Sequence, residues 1–128
     1  MPTAITHDIR ISVRCVFDEA SSDPRRGRFL FGYRIAITNL GQDTVRLLRR
    51  HWYITDSLAP PREVEGPGVV GETPAIAPGD TYTYASLCDL RSGAGRMRGT
   101  YLMHRISDGQ RFVVDIPAFD LVYPVQLN

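Results

Sequence analysis

Lysine is missing from this chain: all 15 of its basic residues are arginines. Two readings stay open. One is the codon usage of a GC-rich genome. The other is selection for bidentate recognition of carboxylate or phosphate, which arginine performs better than lysine. A surplus of either charge is missing as well. The formal net charge is +1, which excludes the basic excess that drives non-specific binding to nucleic acid or to acidic membranes. No apolar run approaches the ~20 residues that cross a bilayer, and the N-terminal MPTAITHDIR has no apolar h-region of a signal peptide. The expected protein is soluble and cytoplasmic, with no membrane insertion. Cysteine is scarce, with only Cys15 and Cys88. Both lie in apolar runs and read as buried free thiols. A disulfide is conceivable, but nothing marks the chain as secreted. A sustained helical period with caps is also lacking.

Period-two alternation takes its place. In IRISVRCVF, Ile9, Ile11, Val13, Cys15 and Phe17 point one way, and Arg10, Ser12 and Arg14 the other. A polar loop, DEASSDPRRG, precedes a second alternating run, RFLFGYRIAITN. In the third, VRLLRRHWYITD, alternation groups Leu48, Trp52 and Ile54 on one face and Leu47, Arg49, His51 and Tyr53 on the other. A region rich in proline and glycine follows, with room for short strands at Arg62–Glu65 and Val69–Val70. TYTYASLCDL, RMRGTYLMHRI and RFVVDIPAF are further strands, the last two joined at SDGQ, whose Asp-Gly signals a hairpin. Short strands at close spacing predict one all-β domain over the 128 residues, a sandwich or barrel.

Within the irregular region, EGPGVVGETP places Gly66, Gly68 and Gly71 at the G-x-G-x-x-G spacing of a dinucleotide-binding turn. That turn works where it leaves a strand and opens a helix, whose N-terminus faces the pyrophosphate. Here Pro74 and Pro78 forbid a helix interior, and Glu63, Glu65 and Glu72 outweigh Arg62. The stretch therefore reads first as a bend between sheets, with phosphate binding at Gly66, Gly68 and Gly71 as the alternative. Of the three histidines, His51 and His104 are candidate ligands for a divalent metal, through Asp56 and Asp108 respectively, but no spacing is diagnostic. Ser86, Cys88 and His51 are the residue types of nucleophilic catalysis without a nucleophile elbow to assemble them. Arg46 and Arg50 share a face in strict alternation, as do Arg96 and Arg98, so Arg50, Arg96 and Arg98 are candidates for a partner surface. Trp52 reads as core.

In this order, RHWYITD (Arg50–Asp56), VEGPGVVGETPAIAPGD (Val64–Asp80), MRGTYLM (Met97–Met103) and FVVDIPAFDL (Phe112–Leu121) resemble the ApaG family, over about residues 5–121 with short flexible termini beyond. The resemblance implies an immunoglobulin-like or fibronectin type III β-sandwich of about seven to eight antiparallel strands. It implies a small bacterial cytoplasmic protein of a type commonly encoded beside the diadenosine tetraphosphate hydrolase, linked to cobalt resistance and magnesium efflux, with no established enzymatic activity and no cofactor. Similar domains in a eukaryotic F-box protein and a DNA-polymerase-interacting protein look like protein-interaction modules. The family's glycine motif, discussed as a nucleotide site, maps onto Gly66, Gly68 and Gly71. The expectation is a noncatalytic adaptor with a protein partner. Nucleotide, pyrophosphate or divalent-metal binding is the alternative, and the choice between monomer and dimer is open.

Overall fold

The structure, a computed structural model, describes residues 1–124; of the C-terminal tail expected to be flexible, residues 125–128 lie outside them. Among the described residues nine strands form two antiparallel sheets packed face to face. They are β1 (Thr3–Thr6), β2 (Ile9–Phe17), β3 (Phe29–Asn39), β4 (Val45–Asp56), β5 (Ala59–Pro67), β6 (Ala75–Ile76), β7 (Thr81–Leu90), β8 (Ala94–Arg105) and β9 (Arg111–Val122). The first sheet runs β1-β2-β3-β7. The second runs β5-β4-β8-β9, with β6 pairing to β4 beyond the end of β5. This is the expected all-β sandwich, with one or two more strands than the seven or eight anticipated.

Alternation builds the core. Ile9, Ile11 and Val13 of β2 and Phe31, Ile35 and Ile37 of β3 face Leu47, Tyr101, Met103, Val114 and Leu121 of the second sheet. Trp52 is 2% exposed and meets Tyr33 and Phe119 edge-on, at centroid distances of 5.5 and 6.0 Å. Such pairs contribute about 0.5–1.5 kcal/mol beyond the area they bury. Cys15 and Cys88 are both free. Their strands flank β3, Cys15 opposite Tyr33 and Cys88 opposite Phe31. Two strand spacings, roughly 9.6 Å, separate those strands, too far for a disulfide without backbone movement. Burial, and then the neighbouring Cys88, push the Cys15 thiol up to about 11.

Strict alternation fails at one place that matters. The register of β4 against β8 shifts between Leu47 and Arg49. A bulge at Leu48 inserts one residue and reverses the facing of everything beyond it. Val45 and Leu47 face the core before the bulge, and Trp52 and Ile54 after it. Leu47 therefore shares the core face with Trp52 rather than lying opposite it, and Arg46 and Arg50 do not share a face. A second shift, between Met97 and Gly99, places Pro117 and Ala118 in a bulge of β9, where the missing proline N–H costs no ladder bond.

Candidate functional site

The glycine stretch closes on itself. Gly66 is opposite Arg50 in the register, and a Cβ on Gly66 would lie 3.3 Å from both Arg50 terminal nitrogens. The absent side chain makes room for the guanidinium, which donates to the carbonyls of Pro67 (2.9 Å) and Gly68 (3.1 Å). Gly68 has φ 58°, and its N–H donates to Leu48 O at 2.8 Å. A Cβ there would lie 2.1 Å from Glu72 O. Val69 and Glu72 exchange N–H···O bonds of 2.8 and 2.9 Å around Val70 (φ 43°) and Gly71 (φ 80°), a primed two-residue turn. Glu72 accepts from the Tyr82 hydroxyl at 2.9 Å, which ties the turn to β7. The N–H groups of Gly68, Val69 and Glu72 are thus already engaged, and β6 follows where a phosphate-binding turn needs a helix.

The other sequence candidates part company. Arg50 turns inward beneath the glycine stretch. Arg96 and Arg98 stand on the outer face of the second sheet, Arg96 3.7 Å from Asp120 and Arg98 4.3 Å over the Tyr53 ring. With Tyr53, Thr55, Pro61 and Glu63 they line a shallow basin of about 520 Å³. His51 stacks on Tyr53 at 4.4 Å, with Nε2 3.8 Å from Glu63 Oε1 and Nδ1 4.0 Å from Glu65 Oε2. That Nε2 is buried without a hydrogen-bond partner among the described residues. His104 lies between Arg46 and Arg111 in the register, so its nearest cross-strand neighbours are cations. Asp56 is held by Arg91, Ser92 and Leu58, and Asp108 by Arg105 and Gln110. Among the described residues no three His, Cys, Asp or Glu side chains gather to hold a metal ion. Ser86 and Cys88 stand on β7 of the first sheet, and His51 faces outward on the second, so the three do not meet.

The four sheet edges differ more than the loops do. β1 has only four residues, and Asp115 N–H of β9 donates to its Thr6 Oγ1 at 3.2 Å. β9 carries Pro117, Asp115 and Asp120, and β5 carries Pro60, Pro61 and Pro67 with Arg62, Glu63 and Glu65. Short length, proline and charge are the usual devices that stop an edge from pairing. β7 has little of them. Its ten residues, TYTYASLCDL, contain no proline and one charge, Asp89. Among the described residues it pairs only with β3. Asn39 N–H donates to Asp80 O at 3.0 Å, which sets the alternation of the ladder. Even-numbered residues of β7 bond to β3, and Thr81, Thr83, Ala85 and Leu87 direct their N–H and C=O groups away from it. At the far end Arg62 crosses from β5 to donate to Asp89 O (2.6 Å) and Oδ1 (3.2 Å). Between β5 and β7 this leaves a cleft of about 260 Å³ that reaches Trp52, Val64 and Met97.

The ApaG domain family model matches residues 19–105 of the chain. The chain belongs to the ApaG family. A protein ApaG of Sinorhizobium fredii is 47% identical over 124 residues, covering 97% of this chain and 95% of that protein. One of Anaeromyxobacter dehalogenans is 44% identical over the whole of both chains. A solved structure described as an ApaA protein of Bordetella pertussis superposes with a TM-score of 0.88 at 38% identity, over 98% of each chain. Among the described residues no helix is long and apolar enough to cross a membrane.

Within this ApaG domain, sequence reasoning set the glycines and surface arginines ahead of β7. The signal was present: ten residues of strand-forming character with no proline and one charge. Which strand ends a sheet is a property of topology, however, and alternation does not report it. The DEASSDPRRG loop also proves stapled. Ser22 Oγ donates to Asp18 O at 2.6 Å and accepts from Leu30 N–H at 2.9 Å.

Proposed function

We propose that this ApaG-family chain is a noncatalytic binding module that captures a protein partner by strand addition along β7. The observation that carries the reading is the contrast of edges: β1, β5 and β9 are short, proline-bearing or charged, and β7 is long, open and nearly uncharged. An extended segment laid beside β7 gains main-chain hydrogen bonds from Thr83, Ala85 and Leu87, and alternate side chains supply specificity. On this reading the protein acts in the cytoplasm, and any link to cobalt resistance or magnesium efflux runs through the partner. The geometry gives the nucleotide alternative less support, because the glycine turn spends three of its N–H groups internally.

The test is selection of random extended peptides against the whole protein, followed by amide NMR mapping of the winners. Shifts centred on Thr83, Ala85 and Leu87 are expected. Winners that map instead to the Arg96–Arg98 basin overturn the reading, as do saturable shifts at Gly66–Glu72 with ATP or diadenosine tetraphosphate, with or without Mg²⁺.

A further inference from the structure

We infer that the segment added to β7 alternates apolar and acidic residues, its apolar side chains turned into the cleft against β5 and its carboxylates laid on the outer face of the first sheet. This rests on the strand-addition reading above and names the chemistry of the partner.

A strand beside β7 sends every second side chain to each face. The inner positions enter the cleft that reaches Trp52, Val64 and Met97. In β5, Arg62 and Val64 face this cleft, and Glu63 and Glu65 point to the other face, where they meet His51. The inner positions thus meet Trp52, Val64 and Met97, beside the Arg50 and Arg62 guanidiniums that the carbonyls of Pro67, Gly68 and Asp89 already engage, and no carboxylate of β5.

The outer positions meet arginines. Arg14 of β2 stands directly opposite Arg34 of β3, and Arg34 opposite Ala85 of β7. Like charges placed directly across a strand pair are destabilising. Among the described residues no carboxylate lies within ion-pair distance of Arg10, Arg14 or Arg34, all three exposed on this face. The Ala85 methyl is too short to block Arg34 from the free edge. From Arg34 to an added strand is two spacings, roughly 9.6 Å, which an arginine and a facing carboxylate span together. The next row, Val16, Gly32 and Leu87, is an apolar hollow of about 320 Å³ over the glycine, with Val16 63% and Leu87 60% exposed. It accepts an apolar flank beside the acidic position.

A second copy of β7 fits less well. Its one carboxylate, Asp89, is already held by Arg62, whose guanidinium also closes the edge at the Asp89 carbonyl. Such a copy brings Arg34 no free counter-charge.

The test uses the full chain and a capped nine-residue peptide of alternating valine and aspartate, with a second peptide in which lysine replaces aspartate. Binding is followed by amide shifts and by hydrogen-exchange protection at Thr83, Ala85 and Leu87. The aspartate peptide is expected to bind about tenfold or more tightly than the lysine peptide. Arg34→Glu, at an exposed position, reverses that preference. A third peptide, N-methylated at alternate amides, loses binding to the unaltered protein, so the pairing is tested without a variant that risks misfolding. If both charged peptides protect β7 equally, or Arg34→Glu changes nothing, the acidic chemistry is wrong and strand addition survives. If neither protects β7, both readings fall. If the protein alone forms dimers that Ala85→Pro dissociates, the occupant is a second copy and the inference is overturned.

Discussion

On the outer face of β5-β4-β8-β9, charges answer one another everywhere but in the row Arg46, His104 and Arg111. Arg49 faces Glu65, His51 lies between Glu63 and Glu65, Arg96 meets Asp120, and Arg98 covers the Tyr53 ring. On the outer face of β1-β2-β3-β7, Arg10, Arg14 and Arg34 stand among Ser12, Ala36, Ala85 and Gly32 with no carboxylate of the described residues at hand. The edges follow the same division. β5 is blunted by three prolines and by the glycine turn folded back on Arg50, and β7 is open. Both sheets belong to one core, so packing does not account for the difference. A face whose charges are mostly matched needs little from outside. A face that leaves cations unmatched and an edge unpaired offers binding free energy to something outside the chain.

That contrast breaks most visibly at Gly68. If the glycine turn belongs to the self-satisfied half, Gly68→Ala must push apart the turn's own backbone. The new Cβ falls 2.1 Å from Glu72 O, at a φ of 58°. Left-handed backbone costs a non-glycine residue roughly 1–2 kcal/mol, and displaced packing typically adds 1–3 kcal/mol. A loss of about 3 kcal/mol in unfolding free energy is expected, read from urea titration as a lower midpoint. A variant of unchanged stability that has lost binding of ATP or diadenosine tetraphosphate would move the glycines into the ligand-facing half.

Asp56, at the end of β4, tests the same half through pH. Burial opposes its ionisation, but the Arg91 N–H (2.7 Å), the Ser92 hydroxyl (2.7 Å) and the Leu58 N–H (3.1 Å) outweigh it and hold the carboxyl below its ordinary value. A carboxyl depressed on folding stabilises fully above the unfolded pKa of about 4, and that contribution is lost as pH falls through the lower folded value. Asp56→Asn is expected to cost about 1–2 kcal/mol at pH 7, and the gap from wild type should shrink as urea titrations move below pH 4. A gap that stays constant down to pH 2 would show that the charge of Asp56 contributes nothing to the fold.

Most of this architecture is legible in the sequence, because half-buried strands write their facing into every second residue. IRISVRCVF and TYTYASLCDL coincide with β2 and β7 to the residue. What alternation hides is any place where the count slips. The bulge at Leu48 moved Arg50 from a surface candidate to a staple beneath Gly66. β1 escaped notice because its turn is His7-Asp8, with φ 49° and 62°, and not a glycine pair. Histidine and aspartate do enter left-handed backbone more often than most residues, which is the cue the sequence held. β5 ran on through Pro60 and Pro61 because an edge strand tolerates proline on its solvent side. Nor does a one-dimensional pattern show that Arg14 and Arg34 face each other, since that depends on the register of the β2–β3 pair.

The smallest effect separates the two faces most directly. Arg14→Gln and Arg96→Gln each remove one exposed guanidinium from a sheet and keep a polar stem. Arg96 loses a surface pair with Asp120 at 3.7 Å, a change of a few tenths of a kcal/mol in the destabilising direction. Arg14 loses only a like-charged neighbour, Arg34, so its removal should stabilise by roughly 0.3 kcal/mol. Both effects are Coulombic between exposed groups, and 1 M salt, where the screening length is about 3 Å, should erase the opposition of sign. Paired urea titrations at 20 mM and 1 M NaCl resolve this as urea midpoints that shift in opposite directions at low salt and converge at high salt. If Arg14→Gln instead destabilises as Arg96→Gln does, Arg14 has a partner after all. The outer face of the first sheet then satisfies itself like that of the second, and the electrostatic case for an acidic segment along β7 is gone, leaving only the open edge.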